Sequence, residues 1–437
     1  MPIPRSRLLV VLIFVTGVII LAGGALPAGS APQDHEAIQY EKGPVSDAVW
    51  QLQQQLDSGK TKLVYDEHFG WLRSVLEQLQ LPVASQILNF GKTSFQAPRI
   101  SPRRPRAIYF NDQVSLGYVH NGEVLELAAL DPRQGVIFYT LDQAHSNRPR
   151  FQRNDTCLQC HANNATLNTP GLLIRSIYPQ TDGMPLFHAG GFVTDHRSPL
   201  KERWGGWYVT GTHGAQPHMG NAFVRDVKHP DQLDFDGARN LTSLKSRFNA
   251  AEYLSPHSDI VALMVIEHQT RMTNLLINAG WETRRALHYR EMMRQALGEL
   301  SPETAALTER RIRAAGDQLL EYMLFVDEAP LTEPVRGTSG FAEWFAKQGP
   351  ADAKGRSFRQ LDLTARLFRY PCSFLIYAAA FDNLPAEVRD DVYRKLWDVL
   401  NGQNPTPRFA RLGAADRAAI REILIETKPG LPDYWRK

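Results

Sequence analysis

The feature that most constrains the fold is a change in hydrophobic periodicity near residue 255. Upstream, between residues 95 and 230, apolar residues form short runs that predict strands, and the Asn121-Gly122 pair between two runs is a strong hairpin signal. Downstream, apolar residues recur at helical spacing over longer segments. Strands followed by helices predict an α+β fold, with a β-rich region followed by a C-terminal helical region.

The pattern places the predicted elements as follows. Strands are predicted at 107–111, 114–120, 124–130, 136–141, 172–178, 186–194 and 207–212. Helices are predicted within 44–91 and at 259–279, 302–325, 361–368, 386–400 and 414–426. The chain therefore divides into a signal peptide or membrane anchor (1–31), an N-terminal helical segment (32–96), a β-rich region (97–250) and a helical region (251–437).

The first residues have the pattern of an export signal. Arg5 and Arg7 precede an uncharged, apolar stretch at 8–26, and small residues follow at 27–31. This order is typical of a secretory signal with cleavage after Ala31, which we favour. The alternative is an uncleaved anchor, because about 20 apolar residues span a bilayer. Both interpretations place the rest of the chain outside the cytoplasm, in the periplasm or otherwise exported.

Composition excludes several classes of protein. The 437 residues are 43% hydrophobic and 22% charged, as in ordinary globular proteins. Lys+Arg minus Asp+Glu is 49 − 46 = +3, so the overall charge predicts no nucleic-acid binding. One basic cluster, Arg99 with Arg103, Arg104 and Arg106, alternates with prolines, and we interpret it as an extended, solvated linker.

Cysteine placement points to a cofactor. Three cysteines are too few for a disulfide-built scaffold. Cys157 and Cys160 precede His161 in a C-x-x-C-H motif, whereas Cys372 lies in a hydrophobic run and is predicted to be an inert buried thiol. Two thiols three positions apart can add to the two vinyl groups of a haem, and the adjacent histidine then reaches the iron. A single motif excludes a multihaem chain.

Three other uses of the cysteine pair remain open. A zinc site would combine it with His213 and His218, which have H-x₄-H spacing, although no second C-x-x-C completes such a site. A redox-active pair would favour a thioredoxin-like βαβ context, which the pattern lacks. A disulfide between Cys157 and Cys160 would close a small, strained loop. Covalent haem attachment is favoured over all three.

On residues 157–161 the chain resembles the c-type cytochromes. The resemblance implies haem c, with its iron, bonded to Cys157 and Cys160, His161 as the proximal iron ligand, export and electron transfer. In that family a proline after the motif orients the proximal histidine, and Pro170 is the candidate here. The resemblance covers the motif alone, because small c-type cytochromes are helical and much shorter than this chain.

The second axial ligand separates a closed electron carrier from an open iron. His218 and Met219 lie in a glycine- and aromatic-rich segment, 204–221, suited to close approach of a flat cofactor. His268 lies on the helix predicted at 259–279, on the same face as methionines four residues before and after it. His218, Met219 and His268 are therefore the distal candidates, and a buried core role is the alternative for each.

Together these observations favour an exported monohaem c-type cytochrome that passes single electrons to a redox partner protein in the periplasm or at the membrane. The alternatives are a haem enzyme with an open distal site, such as a peroxidase-like oxidoreductase, and a haem-based sensor. Electron transfer is favoured over catalysis, although the length of the chain exceeds what a simple carrier needs. Arg175, Arg197 and Arg203 are candidates for pairing with haem propionates, with surface ion pairs as the alternative.

Overall fold

The computed structural model describes residues 32–404 and 406–436. The helices are α1 Ala48–Asp57, α2 Leu72–Gln78, α3 Leu158–His161, α4 Ile260–Leu297, α5 Pro302–Met323, α6 Phe341–Ala346, α7 Ala379–Asp382, α8 Ala386–Leu400 and α9 Ala414–Thr427. The strands are β1 Ile87–Asn89, β2 Arg106–Phe110, β3 Val114–Tyr118, β4 Val124–Asp131, β5 Gly135–Asp142, β6 Phe151–Arg153, β7 Ile174–Ile177, β8 Gly191–Thr194, β9 Trp207–Tyr208, β10 Phe223–Val224 and β11 Leu233–Asp234. The predicted α+β fold is confirmed, with the long helices in the C-terminal part.

The N-terminal export segment predicted at 1–31 lies outside the described residues. Among the residues that are described, none of the helices combines the length and the apolar character needed to cross a membrane.

A seven-stranded antiparallel sheet organises the β-rich region, in the order β6-β5-β4-β3-β2-β1-β9. Strands β2 to β6 follow one another as an antiparallel meander, in which short turns join β2 to β5 and a longer connection at 143–150 leads to β6. The predicted Asn121-Gly122 turn joins β3 to β4, and Asn121 has a φ of 54°, which asparagine tolerates better than most residues. Four of the predicted strands are confirmed as β2 to β5, to within two residues at each end.

Strands β1 and β9 extend the sheet in ways that the pattern did not predict. β1 lies in the segment predicted to be helical, and it pairs with β2 across the boundary placed between residues 96 and 97. β9 ends at Tyr208, although a strand was predicted to Thr212. Beyond it, the Val209 amide donates to the Asn221 side chain and the Thr210 amide donates to Ser258, so these amides are not available for the sheet.

The two faces of the sheet are packed differently. One face carries large side chains, including Leu88, Tyr109 and Leu116, which pack in a core with α1 and α2. The other face has small residues on its central strands, Gly117 on β3 and Ala128 on β4. Because successive side chains point to opposite faces, this small-residue pattern leaves a hollow on one face only.

The helical region forms around α4. The Asp259 side chain caps this helix by accepting hydrogen bonds from the Val261 and Ala262 amides. Its first half is buried against α5, α8 and the sheet, in one continuous core that also includes Ile87 and Trp207. The helix continues to Leu297, well past the predicted end at 279, and its last turns carry charged, exposed side chains.

The prediction of a helix at 361–368 is wrong. Leu361 and Phe368 instead form an antiparallel bridge. The Asp362 carboxylate accepts hydrogen bonds from the Thr364 and Ala365 amides, which closes a tight turn. A local side-chain turn of this kind competes directly with helical hydrogen bonding.

The arginine- and proline-rich segment is not a solvated linker. Ile100 is 1% exposed, and Pro105 is buried. The hydroxyls of Tyr208 and Tyr253 donate to the carbonyl oxygens of Pro102 and Pro105, each at 2.7 Å. The segment is therefore held against the sheet, and its last residue, Arg106, opens β2.

Candidate haem-binding site

A cavity of about 390 Å³ lies on the hollow face of the sheet, and the C-x-x-C-H motif forms part of its wall. Cavities of about 300–1,000 Å³ are typical of small-molecule and cofactor sites. The sheet contributes residues that alternate along each strand, and the strand register places them side by side on one face: Ile87, Asn89, Arg106, Ile108, Ser115, Gly117, Glu126, Ala128, Phe138 and Thr140.

The size of the cavity follows from the central strands. Gly117 on β3 has no side chain, and on the same face Ser115 is opposite Ala128 of β4, while Glu126 is opposite Gly117. Larger side chains form the rest of the cavity wall, among them Trp207 from β9 and Ile266 from α4. The lining is mainly apolar and includes several polar groups, which is typical of small-molecule and cofactor sites.

The motif is held on this wall by local helix chemistry. The Asn154 side chain accepts a hydrogen bond from the Thr156 amide and caps a short 3₁₀ turn that ends at Cys157. Helix α3, a single turn, follows directly and ends at His161. Cys157, Cys160 and His161 all line the cavity, so the structure brings together the three residues that the motif predicts to act jointly.

His161 has one ring nitrogen occupied and one free. Its Nδ1 lies 2.9 Å from the Gly171 carbonyl oxygen, to which it donates, and the Gly171 amide donates in return to the His161 carbonyl. The proton on Nδ1 leaves the lone pair on Nε2, which has no hydrogen-bond partner among the described residues. Burial lowers the pKa of His161, which keeps the imidazole neutral. A neutral imidazole fixed through its other nitrogen is the form that binds a metal.

The segment predicted to orient His161 does so through the residue after Pro170. The accepting carbonyl belongs to Gly171, while the Pro170 carbonyl accepts a hydrogen bond from the Val136 amide on β5. Asn274 on α4 holds the other end, because its side chain bonds both the amide and the carbonyl of Leu172. The imidazole is thus positioned by backbone that the sheet and α4 both hold in place.

The two cysteines are free thiols, Cys157 partly buried and Cys160 exposed. Burial raises the pKa of Cys157 to about 11. A reactive C-x-x-C pair has the opposite property, a lowered thiol pKa, so the geometry lends no support to the redox-pair alternative. For zinc, no group of three or more His, Cys, Asp or Glu residues in 32–404 and 406–436 is arranged to hold a metal ion.

His218 lies outside the cavity and forms a buried pair with His213. The His218 Nδ1 accepts from the Gly220 amide, so its Nε2 carries the proton and donates to the His213 Nε2 at 3.1 Å. The His213 Nδ1 donates to the Gln216 carbonyl at 2.7 Å. Both nitrogens of each ring form hydrogen bonds within the protein. The H-x₄-H spacing therefore corresponds to a hydrogen-bonded histidine pair.

Met219 and His268 also lie outside the cavity. The Met219 sulfur accepts a hydrogen bond from the Ser176 hydroxyl at 3.4 Å. Helix α4 presents Ile266 and Thr270 to the cavity, and His268 lies two positions from each, on the opposite side of the helix. There its Nδ1 contacts the His196 Nδ1 at 2.9 Å and its Nε2 contacts the Ser373 hydroxyl at 2.8 Å. None of the three distal candidates is brought to the motif.

Two polar residues of the cavity were missed as site residues. Arg106 forms an ion pair with Glu126 at 2.9 Å on the sheet face. The Arg106 Nε is buried and has no hydrogen-bond partner among the described residues. The alternation of residues along β2 could have identified Arg106, because it shares a face of the strand with Ile108. The neighbouring prolines instead favoured the interpretation of this segment as a linker.

Of the three arginines predicted to pair with haem propionates, one lines the cavity and two form ion pairs with carboxylates elsewhere. Arg175 lines the cavity. Arg197 forms an ion pair with Asp195 at 2.6 Å, and Arg203 forms a buried ion pair at 3.0 Å with the carboxylate of Glu267. Arg175 therefore joins Arg106 as a cation available to an anionic group in the cavity.

The residues present fit a covalently bound haem. Both cysteines and His161, which has a free ring nitrogen, line one mainly apolar cavity, and the lining residues Arg106 and Arg175 supply positive charge suited to a propionate carboxylate. Comparison of the chain with known proteins finds no matching family model, no matching curated protein and no matching solved structure.

Proposed function

We propose that the chain is an exported monohaem c-type cytochrome, with haem c bonded to Cys157 and Cys160 and His161 as an iron ligand. The observation that carries this proposal is the free Nε2 of a fixed, neutral His161 beside both thiols in one cavity. Haem, when bound, supplies one-electron oxidation and reduction of its iron.

The surrounding residues have defined tasks in this proposal. The Gly171 carbonyl fixes the direction of the His161 ring, and the Phe138 ring, with its centroid 4.9 Å away, packs against it. Arg106 and Arg175 stabilise the carboxylates of the cofactor by charge-assisted hydrogen bonds. The apolar part of the wall, including Ile108 on β2, excludes water from the ring.

Electron transfer to a partner protein in the periplasm or at the membrane follows from the export signal and the single redox centre. Phe95 supports a solvent-facing edge, because it lines the cavity and is 64% exposed. An accessible edge of the cofactor cavity allows electrons to pass without substrate entering the protein.

A second candidate function is favoured by the composition of the cavity wall. Among the described residues that line it, His161 is the only histidine, and no methionine is present. An iron with one strong protein ligand has an open position for a small molecule. A haem enzyme or haem-based sensor would use that position, so this candidate predicts ligand binding where a closed carrier predicts none.

The experiment is expression with haem-c maturation machinery, followed by visible spectra of the oxidised and reduced protein with and without carbon monoxide. The proposal predicts haem that stays attached after denaturation. Spectra unmoved by carbon monoxide support the closed carrier, and rapid carbon monoxide binding supports the enzyme or sensor. A Cys372→Ser variant is the matched control, because Cys372 is fully buried away from the cavity and should leave haem attachment unchanged. Wild-type protein without attached haem would contradict the proposal.

A further inference from the structure

A larger, open cavity of about 620 Å³ lies beside the haem cavity, and we call it the basic groove. The two are adjacent along the chain, since Lys92 lines the groove and Thr93 lines the haem cavity. The arginine- and proline-rich segment forms one side and residues 245–252 form the other. The groove is lined by six basic residues, Lys92, Arg99, Arg103, Arg104, Lys245 and Arg247.

The charge of the groove is concentrated and only partly neutralised. Glu252 is the single carboxylate in its lining, against six cations, whereas the whole chain has a net charge of only +3. Lys92 and Arg99 are paired with carboxylates outside the lining. Among the residues described, four cations of the groove have no carboxylate within salt-bridge distance: Arg103, Arg104, Lys245 and Arg247, whose side chain donates to the Gly237 carbonyl. These four cations are left to meet an anion.

The cations are presented by ordered backbone. Ser101 and Arg104 exchange backbone hydrogen bonds at 2.9 and 3.1 Å, which closes a turn with Arg103 near its tip. The tyrosine hydroxyls that hold Pro102 and Pro105 fix both flanks of this turn. A preorganised backbone lowers the entropy lost on binding, and the planar guanidinium groups suit bidentate contacts with phosphate.

The shape of the groove favours a small, extended anion over a protein surface. The core of a protein interface is typically apolar and depleted in charge. Here Ile100 and Phe248, the large apolar residues of the lining, are 1% and 7% exposed and offer little surface to a partner. We infer that the basic groove binds a polyanion that carries several linked phosphate groups.

The test is titration calorimetry of the purified protein with inorganic tripolyphosphate at about 50 mM salt, a concentration at which electrostatic attraction is only moderately screened. Binding at micromolar to submillimolar tripolyphosphate is expected, and it should weaken as salt is raised. The Arg103→Glu/Arg104→Glu variant should lose affinity by on the order of tenfold or more, because each arginine supplies charge-assisted hydrogen bonds.

The control is an Arg290→Glu/Arg310→Glu variant, which makes the same change in net charge at exposed positions of α4 and α5. It should bind tripolyphosphate as the wild type does. If the first variant fails to fold, Lys245→Glu provides the same comparison at a single exposed position. The inference would be overturned if tripolyphosphate did not bind, or if the variant and the control lost the same affinity for it. It would also be overturned if the protein bound a polyglutamate peptide but not tripolyphosphate.

Discussion

The two faces of the seven-stranded sheet share the same strands but serve different purposes. On β3, Leu116 faces the closed core, and its neighbour Gly117 faces the cavity. One face buries large side chains against α1 and α2, whereas the other keeps small side chains and a few polar groups opposite the C-x-x-C-H motif. A single strand therefore combines a packed core on one side with an open cavity on the other.

The buried histidines show a parallel difference. His213 and His218 each use both ring nitrogens within the protein. His161 uses Nδ1 only, and the residue lines the cavity. Among the described residues, His161 therefore keeps a ring nitrogen free for a ligand, whereas the buried pair keeps none.

The largest expected effect comes from removing the thiols on the cavity face. A Cys157→Ser/Cys160→Ser variant should lose all covalent haem, because no other described cysteine lines the cavity. Cys372→Ser is the control and should keep full haem content. The measurement is haem absorbance of the denatured, purified protein, and a double variant that still carried attached haem would refute the assignment.

Filling the hollow should remove most of the haem without unfolding the protein. In Gly117→Leu, an added Cβ lies 3.3 Å from the flexible Glu126 carboxylate, so the backbone tolerates it while the rest of the side chain enters the cavity. We expect a large fall in the ratio of haem to protein absorbance, with the circular dichroism spectrum retained. A fully loaded Gly117→Leu protein would show that haem lies elsewhere.

A substitution at the neighbouring residue on the closed face, Leu116, should lower stability and leave haem content unchanged. Leu116 is fully buried, and Leu116→Ala should lower the free energy of unfolding by about 2–5 kcal/mol through lost burial and an added cavity. Haem content per folded molecule should stay at the wild-type level. Urea denaturation measures the first quantity, and loss of haem in a still-folded Leu116→Ala protein would contradict the separation of the two faces.

The smallest effect concerns the buried histidine pair. Burial, with a smaller contribution from His213, lowers the pKa of His218 to about 3, against 6.5 when unfolded. The imidazole is neutral in the fold, so its contribution to stability is complete above pH 6.5 and is lost as pH falls toward 3. From pH 7 to pH 5 this amounts to about 2 kcal/mol.

His218→Asn should remove that part of the acid sensitivity and retain an acceptor for the Gly220 amide. The comparison is the change in unfolding free energy between pH 7 and pH 5 for wild type and variant. The absolute stability of the variant does not enter this difference. Equal changes in both proteins would show that His218 titrates normally in the fold.

The meander and the long helices were predictable because their signals are local. Alternation and the Asn121-Gly122 turn located β2 to β5, and helical spacing located α5, α8 and α9 to within two residues. The turn at Asp362 was mistaken for a helix, because its apolar spacing resembles a helical face while the Asp362 side chain closes a local turn. The short strand β1 was not predicted, because its three residues are too few to show a clear alternation of apolar and polar residues.

Half of the candidate site could be predicted and half could not. Cys157, Cys160 and His161 lie within five residues of sequence, so the sequence alone predicted that they act together, and the structure places all three on one cavity. The rest of the cavity depends on strand register and on which face of α4 meets the sheet, which a single sequence does not specify. His268 illustrates this, since its helical face is the one turned away from the cavity.

Attachment of haem through the thiols of this cavity can be checked by mass spectrometry. The intact mass of the denatured protein, produced with haem-c maturation machinery, should exceed the polypeptide mass by one haem. A digest should place that added mass on the peptide containing Cys157 and Cys160. A polypeptide mass without haem, or haem attached to a different peptide, would contradict the account.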